Sequence, residues 1–425
     1  MIRVFINGLA ASAGGGLTYL RNVIPEISRR DDVAATVLLT RALRREFESL
    51  PNVTFLEASD GGGSFVRSLR EQISIPQLIR QSNSRVLISA GNFAVFRSPV
   101  PQILLSRNSL YTSPDFMRDL RSRREYGLWA DTIAKGWVAR KSVRRAEITV
   151  APSEAFAREL TAWTDTPVRA IHHGFDAAAF TASSAALPPA IQSQLNADRA
   201  GDSQDDDRSD DGPGPLRLLF VSHYNYYRNF ETLFRAIPIL RAELRRRQNG
   251  VSRNKVRLYF TCRLGDPANP GSYSSKSASA LVAELRHDGD IVELGSVPYF
   301  SLHHLYRMCH VYVTPAYAES FAHPLVETMS SGLPVVASDT AVHREICGDA
   351  ALYFSRFSPE ELSSAVLKVA DSPETWQQLS ANGLRRAAGF SWQDHVSRLL
   401  DLAHELVGER SQSGSVDDRQ LEIAS

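Results

Sequence analysis

Two carboxylates eight residues apart, Glu319 and Glu327, stand in the most chemically informative stretch of this chain, VYVTPAYAESFAHPLVETMSSGLPVVASD over Val311–Asp339. A buried strand over Val311–Thr314 leads into a loop that holds Glu319. Pro324 suits the first turn of a helix carrying Glu327, and Gly332-Leu333-Pro334 ends that helix and launches a strand over Val335–Ala337. One carboxylate thus precedes a helix N-terminus and the other lies about one turn inside it. The helix-start amides around Ser320–Pro324 are outward-facing donors, and the helix dipole favours an anion there. The layout suits a phosphorylated ligand: Glu327 can accept from a pair of ribose hydroxyls, and Glu319 sits where a sugar hydroxyl would lie. As bare spacing, the pair fits equally well one solvated glutamate and one helix cap.

The elements around this stretch repeat. Short apolar runs alternate with helical patterns at Arg3–Asn7, Ala35–Leu39, Val86–Ser89, Gln102–Leu105 and Ile148–Ala151, then again at Arg217–Val221, Arg257–Thr261, Val311–Thr314 and Val335–Ala337. Such alternation means βαβ units and parallel sheets, and 425 residues are too many for one ordinary core. The expected organisation is an N-terminal Rossmann-like domain over 1–180 and a second over 216–390. Residues 181–215, with the acidic run Asp205–Asp211, read as a linker or disordered insertion. A flexible tail is expected over 409–425.

Hydrophobic residues make up 43% and charged residues 22%, a globular balance, and a net charge of +1 provides no field to attract nucleic acid. Three scattered cysteines show neither a disulfide framework nor metal-ligand spacing, which fits a reducing cytoplasm. The first apolar run is too short for a signal segment, and no stretch reaches the roughly 18 apolar residues of a membrane span. The expectation is a cytoplasmic protein, with a peripheral contact on the inner face of the membrane left open.

The Val311–Asp339 segment resembles the donor-site signature of glycosyltransferase family four, the group 1 glycosyltransferases, written E-x7-E within ESFGLPxxEAMACGxPVVAS. The matching residues are Glu319, Ser320, Phe321, Pro324, Glu327, Met329, Gly332, Pro334, Val335, Val336, Ala337 and Ser338. Ala322 and His323 replace the family's Gly-Leu. Ala322 fits if its φ stays negative, and His323 is placed to contact the donor sugar. After the Arg217–Val221 strand, Arg228-Asn229 resembles the family's Lys-Gly or Lys-Asn pair, with a guanidinium that can fork onto phosphate oxygens. His223 occupies the region of the family's first cation. Gly14-Gly15-Gly16, after the first strand, resembles a glycine-rich loop that faces the donor, although G-x-G-x-x-G spacing is not met. Ile171–Phe180 resembles the segment by which the family leaves its first domain. Where relatives place a histidine near the transferred sugar, this chain has Leu105–Ser109, so Arg107 or Asn108 is the acceptor-side candidate. Phe390-Ser391-Trp392 and the apolar helix over 391–408 resemble the family's last helix, which returns to the first domain.

The resemblance implies a GT-B fold, two doubly wound Rossmann-like α/β domains facing across a cleft. It further implies a retaining, metal-independent transferase with no cofactor, moving a sugar from a nucleotide diphosphate sugar to a glycan or lipid-linked acceptor in bacterial surface polysaccharide assembly. Glu319 and Arg228 would be catalytic, with Arg228 and the amides of Ser320–His323 stabilising the departing diphosphate. Glu327, Ser320, Phe321, Ala322, His323, His223, Gly15 and Gly16 would bind the donor, and no D-x-D motif with plausible strand-end context suggests a metal. Over 116–145, cations interleave with Tyr126, Trp129 and Trp137, a pattern that lies on an anionic bilayer or else packs its tryptophans inward. Two rivals stay open: another GT-B enzyme such as a nucleotide-sugar epimerase or hydrolase, and a catalytically degenerate protein that binds a sugar nucleotide or a partner.

Overall fold

The structure, a computed structural model, describes residues 1–10, 15–58, 64–199, 214–246, 255–267, 269–271, 273–286 and 289–422. Gly14 and the acidic run Asp205–Asp211 lie outside the described residues. The chain divides into two units. One comprises Met1–Ser113, Arg123–Gly174 and Ser391–Ser425, and the other Pro114–Ser122 and Phe175–Phe390.

The first unit is built on β1 (Ile2–Asn7), β2 (Val33–Thr40), β3 (Val53–Ala58), β4 (Val86–Ser89), β5 (Gln102–Leu105), β6 (Ile148–Ala151) and β7 (Arg169–Ala170). They form one parallel sheet in the order β3-β2-β1-β4-β5-β6-β7. Every residue of β4, β5 and β6 is buried, as expected of parallel strands covered by helices on both faces. Tyr19, Leu20, Val23, Ile24 and Ile27 of the Gly15–Ser28 helix share one core with Trp392, Val396, Leu399, Leu400, Ala403 and Leu406 of the last helix. Each fully buried leucine there contributes about 1.5–3 kcal/mol.

The second unit is built on β8 (Leu216–Phe220), β9 (Val256–Phe260), β10 (Ile291–Glu293), β11 (Val311–Thr314), β12 (Val335–Ser338) and β13 (Ala351–Phe354). They form a parallel sheet in the order β10-β9-β8-β11-β12-β13. In each sheet the strand order reverses beside the first strand, between β1 and β4 and between β8 and β11. The three cysteines are buried and unpaired.

The structure departs from the sequence reading at four places. Residues 116–145 are not one basic element: Arg124 takes a left-handed φ of 58° and separates a Pro114–Ser122 helix from a Tyr126–Arg145 helix. The shorter helix groups with the second unit, where Asp115 pairs with Arg356 (2.6 Å), Asp119 accepts from the Tyr317 hydroxyl (2.8 Å) and Phe116 meets Tyr227 edge-on. Within the expected linker, Pro189–Arg199 is helical, because Leu187, Ile191 and Leu195 recur every four residues and all three are buried. The last helix runs on to Glu422 instead of fraying from 409, since that stretch carries no proline to stop it.

The fourth departure is Ala322. Its φ is +66°, where the sequence reading required a negative value, and it is the N-cap of the His323–Ser330 helix. A left-handed alanine costs about 1–2 kcal/mol through the clash of Cβ with the following carbonyl. Ala322→Gly should remove that strain, less about 0.4–1 kcal/mol for the looser unfolded chain. The expected result is a Tm higher by about 1–3 °C in calorimetry; an unchanged or lower Tm would mean that no such strain exists.

Candidate functional site

β8 and β11 are the neighbours at the reversal of the second sheet, and the loops leaving their carboxyl ends carry the chemistry. Ligands of open parallel sheets bind at this kind of position, where diverging loops leave a crevice. After β8 the chain makes a tight turn at Tyr226–Arg228. Asn225 caps it by accepting from the Tyr227 amide at 3.1 Å. Asn229 closes the turn at φ +56°. Its side-chain amide donates to the carbonyls of Pro315 (3.1 Å) and Arg356 (2.6 Å), and the Tyr317 amide donates to the Tyr227 carbonyl at 3.0 Å. The turn that presents Arg228 is thereby bonded to the loop that presents Glu319.

Arg228 Nη1 is paired with Glu319, and the two side chains are 15% and 10% exposed. Burial opposes charge on the guanidinium, but Glu319, Tyr227 and Tyr312 outweigh it and hold Arg228 above its ordinary value. Burial pushes the Glu319 carboxyl above its ordinary value, against the pull of Arg228. The two residues assigned separate tasks from sequence are each other's partner in this state, and Arg228 also lies 4.7 Å over the Tyr227 ring. Its Nε is buried without a hydrogen-bond partner among the described residues.

Glu327, inside the His323–Ser330 helix, is buried. Its Oε2 accepts from the Tyr306 hydroxyl at 2.9 Å. Burial pushes this carboxyl up to about 7, against the pull of that hydrogen bond. At neutral pH it is poised between its two protonation states, so a ligand donating hydroxyls to it draws the carboxylate form. Tyr306 was not singled out from sequence, because it reads as one more apolar position ahead of β11 and no spacing links it to Glu327.

Ser320, Phe321, Ala322 and His323 run from the Glu319 loop into the helix. Among the described residues no side chain caps that helix start. Phe321 is buried and packs on His323 (4.9 Å) and, edge-on, on Phe390 (5.5 Å). Its ring therefore shapes the loop, and only its backbone is suited to a ligand. His223 is half-buried. Burial, then Arg228, depresses its pKa to about 4, so it offers a hydrogen bond at neutral pH and no positive charge.

The remaining candidates belong to the first unit. Gly15 opens the Gly15–Ser28 helix beside Gly16, and a Cβ placed on Gly15 would meet nothing within 4 Å. Arg107 and Asn108 follow β5. Asn108 spends its side-chain oxygen on the Leu110 amide at 3.0 Å, as the cap of a short turn. Among the described residues, no helix is long and apolar enough to cross a membrane.

Residues 203–386 match the profile of the family described as Glycosyl transferases group 1. The O-antigen chain mannosyltransferase B of Escherichia coli is 32% identical over 128 residues, covering 30% of this chain and 33% of that protein. A probable sucrose-phosphate synthase of Craterostigma plantagineum is 28% identical over 156 residues, covering 33% of this chain and 14% of that protein. The matched segments thus span a third or less of these curated relatives. Among solved structures, a sucrose-phosphate synthase of Thermosynechococcus elongatus superposes with a TM-score of 0.70 at 15% identity, covering 96% of this chain and all (100%) of that one. Anabaena HepE in complex with UDP does so at 0.65 and 15%, covering 95% of this chain and 100% of that one. The segment that carries Arg228, Glu319 and Glu327 thus matches the group 1 glycosyl transferases, and the chain has the GT-B fold.

Proposed function

We propose that this protein is a retaining, metal-independent glycosyltransferase that takes a sugar from a nucleotide diphosphate sugar and places it on a glycan or lipid-linked acceptor. The buried Glu327 carboxyl, held by Tyr306 at 2.9 Å beside the Arg228–Glu319 pair, carries the reading. Ribose hydroxyls donate to Glu327. The diphosphate takes Arg228 and the open helix start at Ala322–His323. Glu319, released from the guanidinium, turns to a sugar hydroxyl. Each member of the ion pair thereby exchanges one partner for another, and no charge is left bare. As the sugar–phosphate bond breaks, Arg228 and the helix amides meet the charge that develops on the leaving group. HepE, a structural neighbour, binds UDP-glucose, and the mannosyltransferase relative builds O-antigen; both support a nucleotide-sugar donor and a surface polysaccharide product.

Titration calorimetry with UDP, GDP and their sugars, in EDTA, tests the donor site. One nucleotide should bind, and its affinity should rise with pH through about 7 as Glu327 loses its proton. Glu327→Gln should flatten that pH dependence and weaken binding about 10- to 100-fold, the worth of hydrogen bonds to a charged group. No nucleotide binding, or binding indifferent to Glu327→Gln, overturns the reading. Glu319→Gln should separate the two halves of the exchange: it frees Arg228 for diphosphate, so nucleotide affinity holds or improves while turnover falls by at least ~100-fold. Weaker nucleotide binding in Glu319→Gln would refute the partner exchange.

A second reading concerns where the protein works. On the Tyr126–Arg145 helix, Tyr126, Ile133 and Trp137 are 62%, 44% and 60% exposed, and their spacing puts them on one face. Lys141 lies 3.7 Å over the Trp137 ring, and Arg144 and Arg145 occupy the last turn. An outward aromatic stripe ending in cations suits the interface of an anionic bilayer, at the cytoplasmic side of the inner membrane. Vesicles of phosphatidylglycerol should co-sediment the protein and neutral phosphatidylcholine vesicles should not, with Trp137→Ser reducing capture several-fold. Equal recovery with both lipids would dismiss the membrane contact.

A further inference from the structure

We propose that Arg107 recognises an anionic group, a phosphate or a carboxylate, on the acceptor. The proposal rests on the transferase reading for the word acceptor, and on the first unit alone for the site. In that unit the strand order reverses between β1 and β4, where the loops diverge and a ligand can enter. The Arg107 guanidinium reaches this point from β5. Its Nη2 donates to the carbonyl of Ala90, the residue after β4. Its plane lies 4.8 Å over the ring of Tyr19, in the helix that follows β1. Asn92 pins the backbone, accepting from the amides of Arg107 (2.7 Å) and Asn108 (3.1 Å).

This cation is held in place and has no counter-charge among the described residues. Nη1 is buried and has no hydrogen-bond partner among the described residues. Tyr19 is the neighbour that couples to it most directly, and burial keeps the Tyr19 hydroxyl protonated. His395 bonds the Tyr19 hydroxyl at 3.0 Å and the His172 carbonyl at 2.8 Å, and burial keeps it neutral, with a pKa of about 4. Residues 8–14, between β1 and the helix, include no aspartate or glutamate, and the helix has no acidic residue in its first turn. A half-buried guanidinium with no carboxylate costs folding free energy that a packing residue would not, and burial lowers its pKa to about 10. Among the described residues nothing completes it, and an anion entering where the loops diverge would do so. A planar fork favours two oxygens of one phosphate or carboxylate. The ring contacts among Tyr19, His173, Trp392 and His395, with centroids 5.2–5.8 Å apart, keep the bed under it rigid.

The test titrates the full-length protein with glucose 6-phosphate, glucuronate and glucose, and separately with UDP, in wild type, Arg107→Gln and Arg107→Lys. Wild type should bind at least one of the two anionic sugars ten-fold or more tighter than glucose, and the phosphate and carboxylate arms identify which anion it takes. Arg107→Gln should reduce that preference to parity, Arg107→Lys should keep part of it, and UDP affinity should stay within two-fold in both. Because the substitution removes an uncompensated charge, the Tm of Arg107→Gln should not fall. Wild-type indifference between anionic and neutral sugars overturns the proposal. So does a falling Tm with the preference intact, which would mark Arg107 as structural, and so does loss of UDP affinity in Arg107→Gln, which would assign the anion to the donor. Failure of UDP to bind wild type would count against the donor reading alone.

Discussion

The ion pair between Arg228 and Glu319 is the interaction on which the rest of the site depends. Burying either charge alone would be costly: a carboxylate or a guanidinium taken from water without a partner loses several kcal/mol. Together they allow two loops, from β8 and β11, to meet over the end of the sheet. Asn229 makes that meeting specific, because its side-chain amide bonds the Pro315 and Arg356 carbonyls while its own backbone takes the left-handed turn. The position that reads in sequence as a phosphate-binding cation is thus also a joint between two loops.

Sheet topology fixes where such a joint can form. In a parallel sheet every strand delivers its loop to the same edge, and only where the order reverses do neighbouring loops turn away from each other. Arg228, Glu319 and the start of the His323–Ser330 helix gather at the reversal between β8 and β11, and Arg107 and Tyr19 at the reversal between β1 and β4. The chemistry-bearing residues lie far apart in sequence, and the reversal is what gathers them within each unit.

Much of this was legible from sequence, and the reasons for the misses are physical. The all-buried strands announced themselves as short apolar runs. The Pro324 and Gly332 signals bracketed the Glu327 helix, which spans His323–Ser330. What spacing could not carry was the state of each group. Nothing in Arg228 and Glu319 as letters says that they pair, and nothing in His223 says that burial beside a guanidinium leaves it neutral. Ala322 does not meet the condition of a negative φ: alanine avoids the left-handed region unless its surroundings impose it, and here a loop tied at both ends does so. The Pro189–Arg199 helix was hidden by its alanine-, serine- and proline-rich flanks, although Leu187, Ile191 and Leu195 already had the period of a buried face. Tyr306 was invisible because its partner lies on another element.

The two cations also differ in how their free states are stabilised, and this bears on how each would hold an anion. Arg228 carries its own counter-ion, so an arriving phosphate must displace Glu319 and gains only the difference between two ion pairs. Such a site binds moderately and releases readily, which suits a diphosphate that must leave after each transfer. Arg107 has no counter-ion to displace among the described residues, so an anion there would gain the whole interaction, less its own dehydration. A site of that kind discriminates strongly between charged and neutral ligands, because the neutral one leaves a buried cation bare. Discrimination matters most for the partner that must be chosen among many similar sugars. On the proposed roles, the distribution of counter-charges separates a residue fitted for turnover from one fitted for selection.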